Sequence, residues 1–475
     1  CLTFNIIIME QKKLHSPIKT INPFTNRIEK EFNITSDDEV EKKIKKADTA
    51  FKSWRKTNFR FRSKIIHKVA SLMRERKEEL GRLITTEMGK LLRESIYEVE
   101  LSADIFDYYA DHAEEFLADQ KLPTPQGEAF VTYEPIGVLL SVQPWNFPFY
   151  QITRSAAPNL MAGNTMVLKH ASNVPQCAQL MEDLFKEAGL PDGVYQNLFI
   201  PGGSIDKLVA NPLIKGVTLT GSEPAGANIA SEAGKYVKKS TLELGGSDPF
   251  IILEDANMDK AVETAVYGRM GNAGQICISP KRIIVPESKY PNILNKMKAL
   301  VAKLKLGDPM DPQTDIAPLC SEEAAKKVID QIERAVKQGA KLEFGGGRPD
   351  SKGAFVNPTI ITHVTPDMDA YSEEIFGPVL VVYTYKTIDD AIHLANATNF
   401  GLGGTVFGTD IKNAKAVARE IDSGMVYINH VTGIAPELPF GGTKNSGYGR
   451  EQSLAGIYEF VNSKLIRVTT PENLY

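Results

Sequence analysis

Val138-Leu139-Leu140-Ser141-Val142 is a short apolar run, followed at once by Pro144-Trp145-Asn146-Phe147-Pro148 and by a helical pattern from Phe149 to Met161. Two prolines fix a turn between a strand and a helix. The same alternation continues downstream. Thr165 to Lys169, Val194 to Ile200, Val217 to Thr220 and Ser240 to Leu244 read as strands, while Val174 to Ala188 and Pro224 to Tyr236 read as helices. Short apolar strands alternating with helices predict a parallel sheet covered on both faces.

A second run of this kind covers residues 250 to 430. Its candidate strands are Phe250 to Leu253, Arg282 to Val285, Lys341 to Phe344, Val379 to Tyr385, Gly404 to Phe407 and Met425 to Asn429. The expected fold class is therefore α/β, with two doubly wound domains in series, and neither an internal repeat nor a low-complexity linker stands out. Upstream, the first 118 residues read as mostly helical. Ser36-Asp37-Asp38-Glu39 has the form of a capping box, and Val40, Ile44, Ala47, Phe51 and Trp54 recur on one helical face. Helical periodicity returns at Ile65 to Leu83 and at Leu91 to Leu117. Pro123, Pro125 and Gly127 then stop the helix, and Ala129 to Tyr133 reads as a short strand.

Bulk properties narrow the function. A chain of 475 residues, 42% hydrophobic and 24% charged, has the composition of a soluble multidomain protein. Its net charge of −4 lacks the basic excess of a nucleic-acid binder. Lys42 to Lys46, the densest basic stretch, shares its helix with Glu39 and Glu41 and reads as a solvated face. No apolar run approaches the roughly 18 residues that span a bilayer. The apolar start, Cys1 to Ile8, has no basic segment or cleavage site, so it is not read as a signal peptide, and Met9 reads as a natural start. Cys1, Cys177, Cys277 and Cys320 are far apart, and no CxxC, Cys/His cluster or HExxH suggests a metal. So few cysteines point to a reducing compartment, the cytoplasm.

Three motifs carry chemistry. In Gly271-Asn272-Ala273-Gly274-Gln275-Ile276-Cys277-Ile278-Ser279, glycines flank a cysteine in a loop-prone stretch. Glycine there lets backbone approach a ligand closely, whereas Cys177 and Cys320 lack that setting and read as packing or surface residues. Thr241-Leu242-Glu243-Leu244-Gly245-Gly246 ends a strand in a glutamate. Ligands collect beyond the carboxyl ends of strands in open α/β sheets, so Glu243 reads as a general base or, equally, as the partner of a surface lysine. Asn146 also follows a strand and has a side-chain N–H to donate.

Glu243 precedes Cys277 by 34 residues, and Asn146 precedes Glu243 by 97. Together with Leu168-Lys169, Thr220-Gly221-Ser222, Glu374-Ile375-Phe376-Gly377-Pro378 and Pro439-Phe440-Gly441-Gly442, this ordered set resembles the aldehyde dehydrogenase superfamily from about residue 20 to the end. The resemblance implies the fold of that family. A cofactor-binding domain would be formed by residues 9–117 and 137–245, and a catalytic domain by residues 246–455. Residues 118–136 and 456–475, with the strand-like Leu465 to Val468, would form a small β element that joins subunits into a dimer or tetramer.

The resemblance also implies a mechanism. Cys277 would attack an aldehyde carbon, and Asn146 with the Cys277 backbone N–H would hold the oxyanion. Hydride would pass to a nicotinamide, and Glu243 would activate the water that hydrolyses the resulting thioester. Gly221 and Ser222 would hold the pyrophosphate at a helix start, Glu374 the nicotinamide ribose, and Lys169 the adenosine ribose. Phe376, Trp145 and Leu244 would pack near the cofactor.

Many members that prefer NAD carry a glutamate three residues after that lysine. Lys169-His170-Ala171-Ser172 has a serine instead, which removes a carboxylate that would repel a 2′-phosphate. The cofactor is thus expected to be NADP or NAD, with NADP accepted and the choice between them open toward NADP. Alternatively or in addition, Ser172 caps the helix near Val174, and His170 reads as structural. Arg154, eight positions after Asn146, matches the arginine with which succinate-semialdehyde dehydrogenases pair the distal carboxylate of their substrate. The other reading is an ordinary helix-surface arginine. Arg269, eight residues before Cys277, is a second candidate for carboxylate binding. Ser279 stands where some such enzymes carry a second cysteine, so a redox switch with the nucleophile is not expected. The expected reaction is oxidation of succinate semialdehyde. A broad-range or glutarate-semialdehyde enzyme, or a cysteine hydrolase without a nicotinamide, is the alternative.

Overall fold

The computed structural model describes residues 17–469, so Cys1 to Ile8 and Met9 lie outside the described residues. The first sheet has six strands in the order Gly447–Tyr448, Lys239–Glu243, Ile214–Thr220, Val138–Gln143, Thr165–His170, Tyr195–Asn197. All neighbours are parallel except the antiparallel Gly447–Tyr448. Val138–Gln143 is buried along its whole length. Because side chains alternate faces along a strand, Leu139 enters one apolar core while Val138, Leu140 and Val142 enter the other. That double burial is why the strand reads as a continuous apolar run.

The chain winds outward in both directions from Val138–Gln143, through Thr165–His170 on one side and Ile214–Thr220 on the other. The switch point of this sheet therefore lies between Val138–Gln143 and Ile214–Thr220. Pro144 to Pro148 leaves one of these strands, and Gly221-Ser222 leaves the other. Both emerge at the carboxyl edge, where an open sheet leaves a crevice.

The second sheet has seven strands, Lys341–Phe344, Thr359–Thr362, Val379–Tyr385, Arg282–Pro286, Pro249–Ile252, Thr405–Phe407 and Tyr427–Ile428, with only the first antiparallel. A separate apolar core surrounds it. Its amino edge meets the carboxyl edge of the first sheet. Gly245-Gly246 runs into Pro249–Ile252, the Cys277 loop into Arg282–Pro286, and Glu374 to Pro378 into Val379–Tyr385.

A three-stranded antiparallel sheet, in the order Val461–Val468, Glu128–Pro135, Gln120–Lys121, joins two distant parts of the chain. Among the described residues, no helix is long and apolar enough to cross a membrane.

The helical amino-terminal part comprises Asp37–Trp54, Phe59–Glu75, Lys77–Met88 and Leu92–Phe116. The capping box is present: Glu39 N–H donates to Ser36 Oγ, and Ser36 N–H to the Glu39 carboxylate. Three expectations need correction. The hairpin Ile18–Asn22 with Arg27–Phe32 precedes these helices. Arg27–Phe32 is almost wholly exposed, so it carries no hydrophobic alternation to read. Thr359–Thr362 is a further strand not foreseen. Ser172 does not cap the next helix, Pro175–Glu187, whose N-cap is Val174 with no side-chain bond.

Candidate active site

The Cys277 loop is strained and heavily tied. Asn272 and Ala273 have φ of 48° and 51°, in the left-handed region. For a residue with a Cβ this costs about 1–2 kcal/mol, so the surroundings must hold it. Asn272 N–H donates to the Glu94 carboxylate, and Asn272 Nδ2 to the Asn146 and Gln275 carbonyls. Gln275 Oε1 accepts the Cys320 N–H at 2.9 Å. Gly274 has φ +77°, and a Cβ there would overlap the Gly377 carbonyl.

Arg269 lies on the helix Met258–Met270 and is fully buried. Its guanidinium donates to Val379 O (2.7 Å), Gly274 O (3.0 Å), Ser279 Oγ (2.7 Å) and Ile375 O (2.6 Å). Four of its five N–H groups are spent on the protein, so the expectation that it binds substrate gives way to a different job. It stitches the Cys277 loop to the segment carrying Glu374 and Phe376. Ser279 completes that stitch by donating to Ile276 O.

Asn146 is buried, and its Nδ2 donates to Gln275 O at 3.1 Å, leaving the second amide hydrogen unassigned. The Cys277 N–H takes no acceptor among the described residues. Both donors therefore remain available. Burial pushes the Cys277 thiol up to about 11, with Arg154 and Lys281 opposing the shift. Glu243 is buried and neither carboxylate oxygen has a hydrogen-bond partner. Burial holds its pKa well above the ordinary carboxylate range, Arg154 opposes this and Glu451 adds to it. No surface lysine pairs with it.

Arg154 is not a surface residue either. It is buried on Pro148–Ala162, ion-paired to Glu451, and donates to Thr220 Oγ1 (2.8 Å) and the Tyr150 hydroxyl (3.3 Å). The Phe440 ring stacks 4.4 Å from its guanidinium carbon. Burial alone would lower its pKa, but Glu451 and Tyr150 more than offset that, so it stays charged.

Lys281, four residues after Cys277, is also buried. Its ammonium donates to Ile276 O (3.0 Å) and Cys277 O (2.7 Å) and pairs with Glu374 at 3.2 Å. Lys281, Glu451 and Tyr150 escaped sequence reading. Only the position of Lys281 just past the cysteine hinted at a role.

The donor set for a dinucleotide is present. Lys169 is buried at the carboxyl end of its strand, and burial lowers its pKa. Among the described residues it has neither a carboxylate within 4.0 Å nor a hydrogen-bond acceptor, leaving a cation that an anion or hydroxyl would satisfy. Ser172 is exposed two residues beyond that strand. The helix Glu223–Lys235 begins at Ser222 with no side-chain cap, so its first N–H groups are free to meet a phosphate. Leu244 lies against this helix so closely that a Cβ on Gly226 would strike it at 2.5 Å. Glu374 accepts the Gly246 N–H at 3.2 Å, and Trp145 and Phe376 meet edge to face at 5.8 Å.

His170 is buried with Nε2 3.0 Å from Pro148 O, and Nδ1 faces the Ala171 N–H at 2.9 Å. Burial lowers it to about 4, so it is neutral, with its two ring nitrogens facing Pro148 O and, at 3.1 Å, Gln143 O. It ties the end of the Lys169 strand to the Asn146 turn.

These features place a cysteine, a buried glutamate and a dinucleotide donor set at one crevice, and the chain belongs to the aldehyde dehydrogenase family, whose model matches residues 8–466. Among curated proteins it is 48% identical over 451 residues to the succinate-semialdehyde dehydrogenase [NADP(+)] of Deinococcus radiodurans, covering 95% of this chain and 94% of that one. It is 44% identical to the corresponding protein 1 of Mycobacterium tuberculosis, covering 95% and 99%. The crystal structure of succinic semialdehyde dehydrogenase from Streptococcus pyogenes in complex with NADP+ matches with a TM-score of 0.94. That match has 46% identity and covers 95% of this chain and 100% of that one.

Two outcomes follow. With the thiol near 11, its thiolate fraction should rise about tenfold per pH unit from pH 7 to 9. Iodoacetamide labelling of Cys277 in the cofactor-free protein, followed by mass spectrometry, should show that slope and no plateau below pH 9. Arg269→Met leaves three buried carbonyls unpaired and should destabilise the protein by about 3–5 kcal/mol in urea denaturation. It should lower kcat/KM for charged and neutral aldehydes alike, whereas a loss confined to carboxylated aldehydes would restore a substrate role.

Proposed function

We propose that this chain oxidises succinate semialdehyde to succinate with NADP as the preferred cofactor, NAD serving less well. The observation that carries the reading is the 44–48% identity, over about 95% of the chain, to proteins named for that reaction. Cys277, Glu243 and Asn146 supply its parts. Glu243 has two unpartnered oxygens and, through burial, a raised proton affinity, so it takes a proton at a pH where an ordinary carboxylate would not. It relieves the Cys277 thiol of its proton, and the sulfur adds to the aldehyde carbon. The free Asn146 amide hydrogen and the Cys277 N–H receive the negative oxygen, each worth about 3–4 kcal/mol in such a site. When bound, the nicotinamide supplies a hydride acceptor. Once that proton has passed to solvent, the Glu243 carboxylate activates the water that cleaves the thioester on Cys277.

Lys169 and Ser172 would hold the 2′-phosphate, the Gly221-Ser222 helix start the pyrophosphate, and Glu374 the nicotinamide ribose. Trp145, Phe376 and Leu244 would form the apolar wall. Arg154 donates one N–H from each terminal nitrogen, to Tyr150 and Thr220, and ion-pairs with Glu451, so a further N–H on each terminal nitrogen is left for the distal carboxylate. Its pairing with Glu451 favours a second role as well. Its charge lowers the Cys277 pKa and opposes the upward shift of Glu243.

The protein would work in the cytoplasm, in keeping with the free thiols of Cys177, Cys277 and Cys320. It would act as a dimer or tetramer joined through Val461–Val468, an edge strand with Leu465 and Val468 more than half exposed.

Steady-state rates with succinate semialdehyde, glutarate semialdehyde and butanal, each with NADP and NAD, test the reading. Succinate semialdehyde with NADP should give the highest kcat/KM. Arg154→Ala should raise KM for succinate semialdehyde at least about tenfold more than for butanal, the effect of one lost charged hydrogen bond. Equal effects on both would leave only the electrostatic role. Ser172→Glu places a carboxylate beside the phosphate site and should cut kcat/KM for NADP by about 100-fold, with NAD little changed. A wild-type preference for NAD that this substitution leaves alone would falsify the cofactor assignment.

A further inference from the structure

We infer that Glu94 and Glu98, one turn apart on the helix Leu92–Phe116, are positioning residues that set the spacing between the Asn146 donor and the Cys277 loop. Four residues of helix separate them by about 6 Å along the axis. Glu94 holds the nucleophile loop, since both of its carboxylate oxygens lie 3.2 Å from the Asn272 N–H, in the left-handed segment ahead of Cys277. Glu98 holds the other half of the oxyanion site. Its Oε1 accepts the Phe149 N–H at 2.8 Å and the Tyr150 N–H at 3.2 Å. These are first-turn donors of Pro148–Ala162, a helix whose own N-cap, Phe147, provides no side-chain bond. A carboxylate from a different helix does the capping.

The brace is stiff. Lys90 pairs with the other oxygen of Glu98, and both side chains are fully buried. The Lys90 ammonium also lies 3.5 Å from the centre of the Phe147 ring, in the turn that carries Asn146. Across the gap, Asn146 Nδ2 donates to Gln275 O and Asn272 Nδ2 to Asn146 O, closing a triangle of helix, turn and loop. Arg93 of the same helix donates to Thr314 O at 2.7 Å, anchoring it to the second half of the chain. One helix thus grips both halves of a site whose parts come from different sheets. Misplacement of a reacting group by about 1 Å can cost 100-fold, so this spacing has catalytic weight.

This rests on the assignment of Cys277 as nucleophile and Asn146 as oxyanion donor, and the test separates the two. Removing Glu98 alone strands a buried ammonium, so the pair is replaced together, which a core tolerates. Lys90→Met/Glu98→Leu and Glu94→Leu remove the acceptors, while Lys90→Met/Glu98→Gln and Glu94→Gln keep one carbonyl oxygen in place. Four quantities are read on the full chain: kcat and KM with aldehyde and NADP, hydrolysis of p-nitrophenyl acetate without cofactor, and the iodoacetamide rate at Cys277. Ester hydrolysis passes through an oxyanion, whereas alkylation does not.

The leucine variants should lose about 100-fold in kcat and in ester turnover, with KM and alkylation within about threefold. The glutamine variants should recover most of that loss. Leucine variants that keep kcat within about threefold, or that lose alkylation in step with kcat, would overturn the brace. Ester turnover surviving in Cys277→Ala would instead overturn the nucleophile assignment beneath it.

Discussion

A Cβ on Gly246 would sit 2.7 Å from the Cys277 carbonyl oxygen, and one on Gly245 would overlap the Glu374 carboxylate. Backbone leaving the carboxyl edge of one sheet here touches backbone entering the amino edge of another, with no room for side chains between them. That contact sets the site. It places Cys277 and Glu374 against the strand end that carries Glu243, and it accounts for the glycine pair after the glutamate. Strain in the loop follows from the same closeness, because Asn272 and Ala273 must turn through the left-handed region to bring the thiol round.

Close packing around the site buries charge, and several of the buried charges are paired. Arg154 meets Glu451, Lys281 meets Glu374 and Lys90 meets Glu98. Removing one member of such a pair is costly, whereas the intact pair contributes little net stability. These pairs are therefore better understood as fixing geometry. Glu243 and Lys169 are buried with neither an ion pair nor a hydrogen bond among the described residues. A buried carboxylate without a partner is suited to taking a proton, and a buried ammonium without one to binding an anion. Both groups lie at the carboxyl edge of the first sheet, on strands separated by two others.

Much of this was legible in the chain. Val379–Tyr385 and Lys341–Phe344 have the bounds their apolar pattern predicts, and the Ser36 capping box has the expected bonds. Buried strands and amphipathic helices announce themselves because burial selects apolar residues at a fixed period. The hairpin at Ile18–Asn22 and Arg27–Phe32 gave no such signal, since its exposed face is not selected for apolarity. Ser172 looked like a cap because serine before a helical run often is one, but the chain makes a turn there and the helix starts later. Arg269 looked like a ligand for a carboxylate because charge on a helix near a nucleophile suggests function. Its role depends on carbonyls of Ile375 and Val379, more than a hundred positions away.

The sequence by itself determined the two α/β sheets and the serine in place of a carboxylate after Lys169, and it nominated Cys277, Glu243 and Asn146 as candidates for the chemistry. These are local facts, carried by periodicity, by turn residues and by motifs a few residues long. Only the tertiary structure decided which groups meet. It paired Arg154 with Glu451, turned Arg269 inward, set Lys281 against Glu374 and left Glu243 alone. The reason is physical. Whether a charged side chain binds a ligand, props a loop or stores a proton depends on what else is buried within a few ångströms of it, and those neighbours come from distant parts of the chain that only folding brings together.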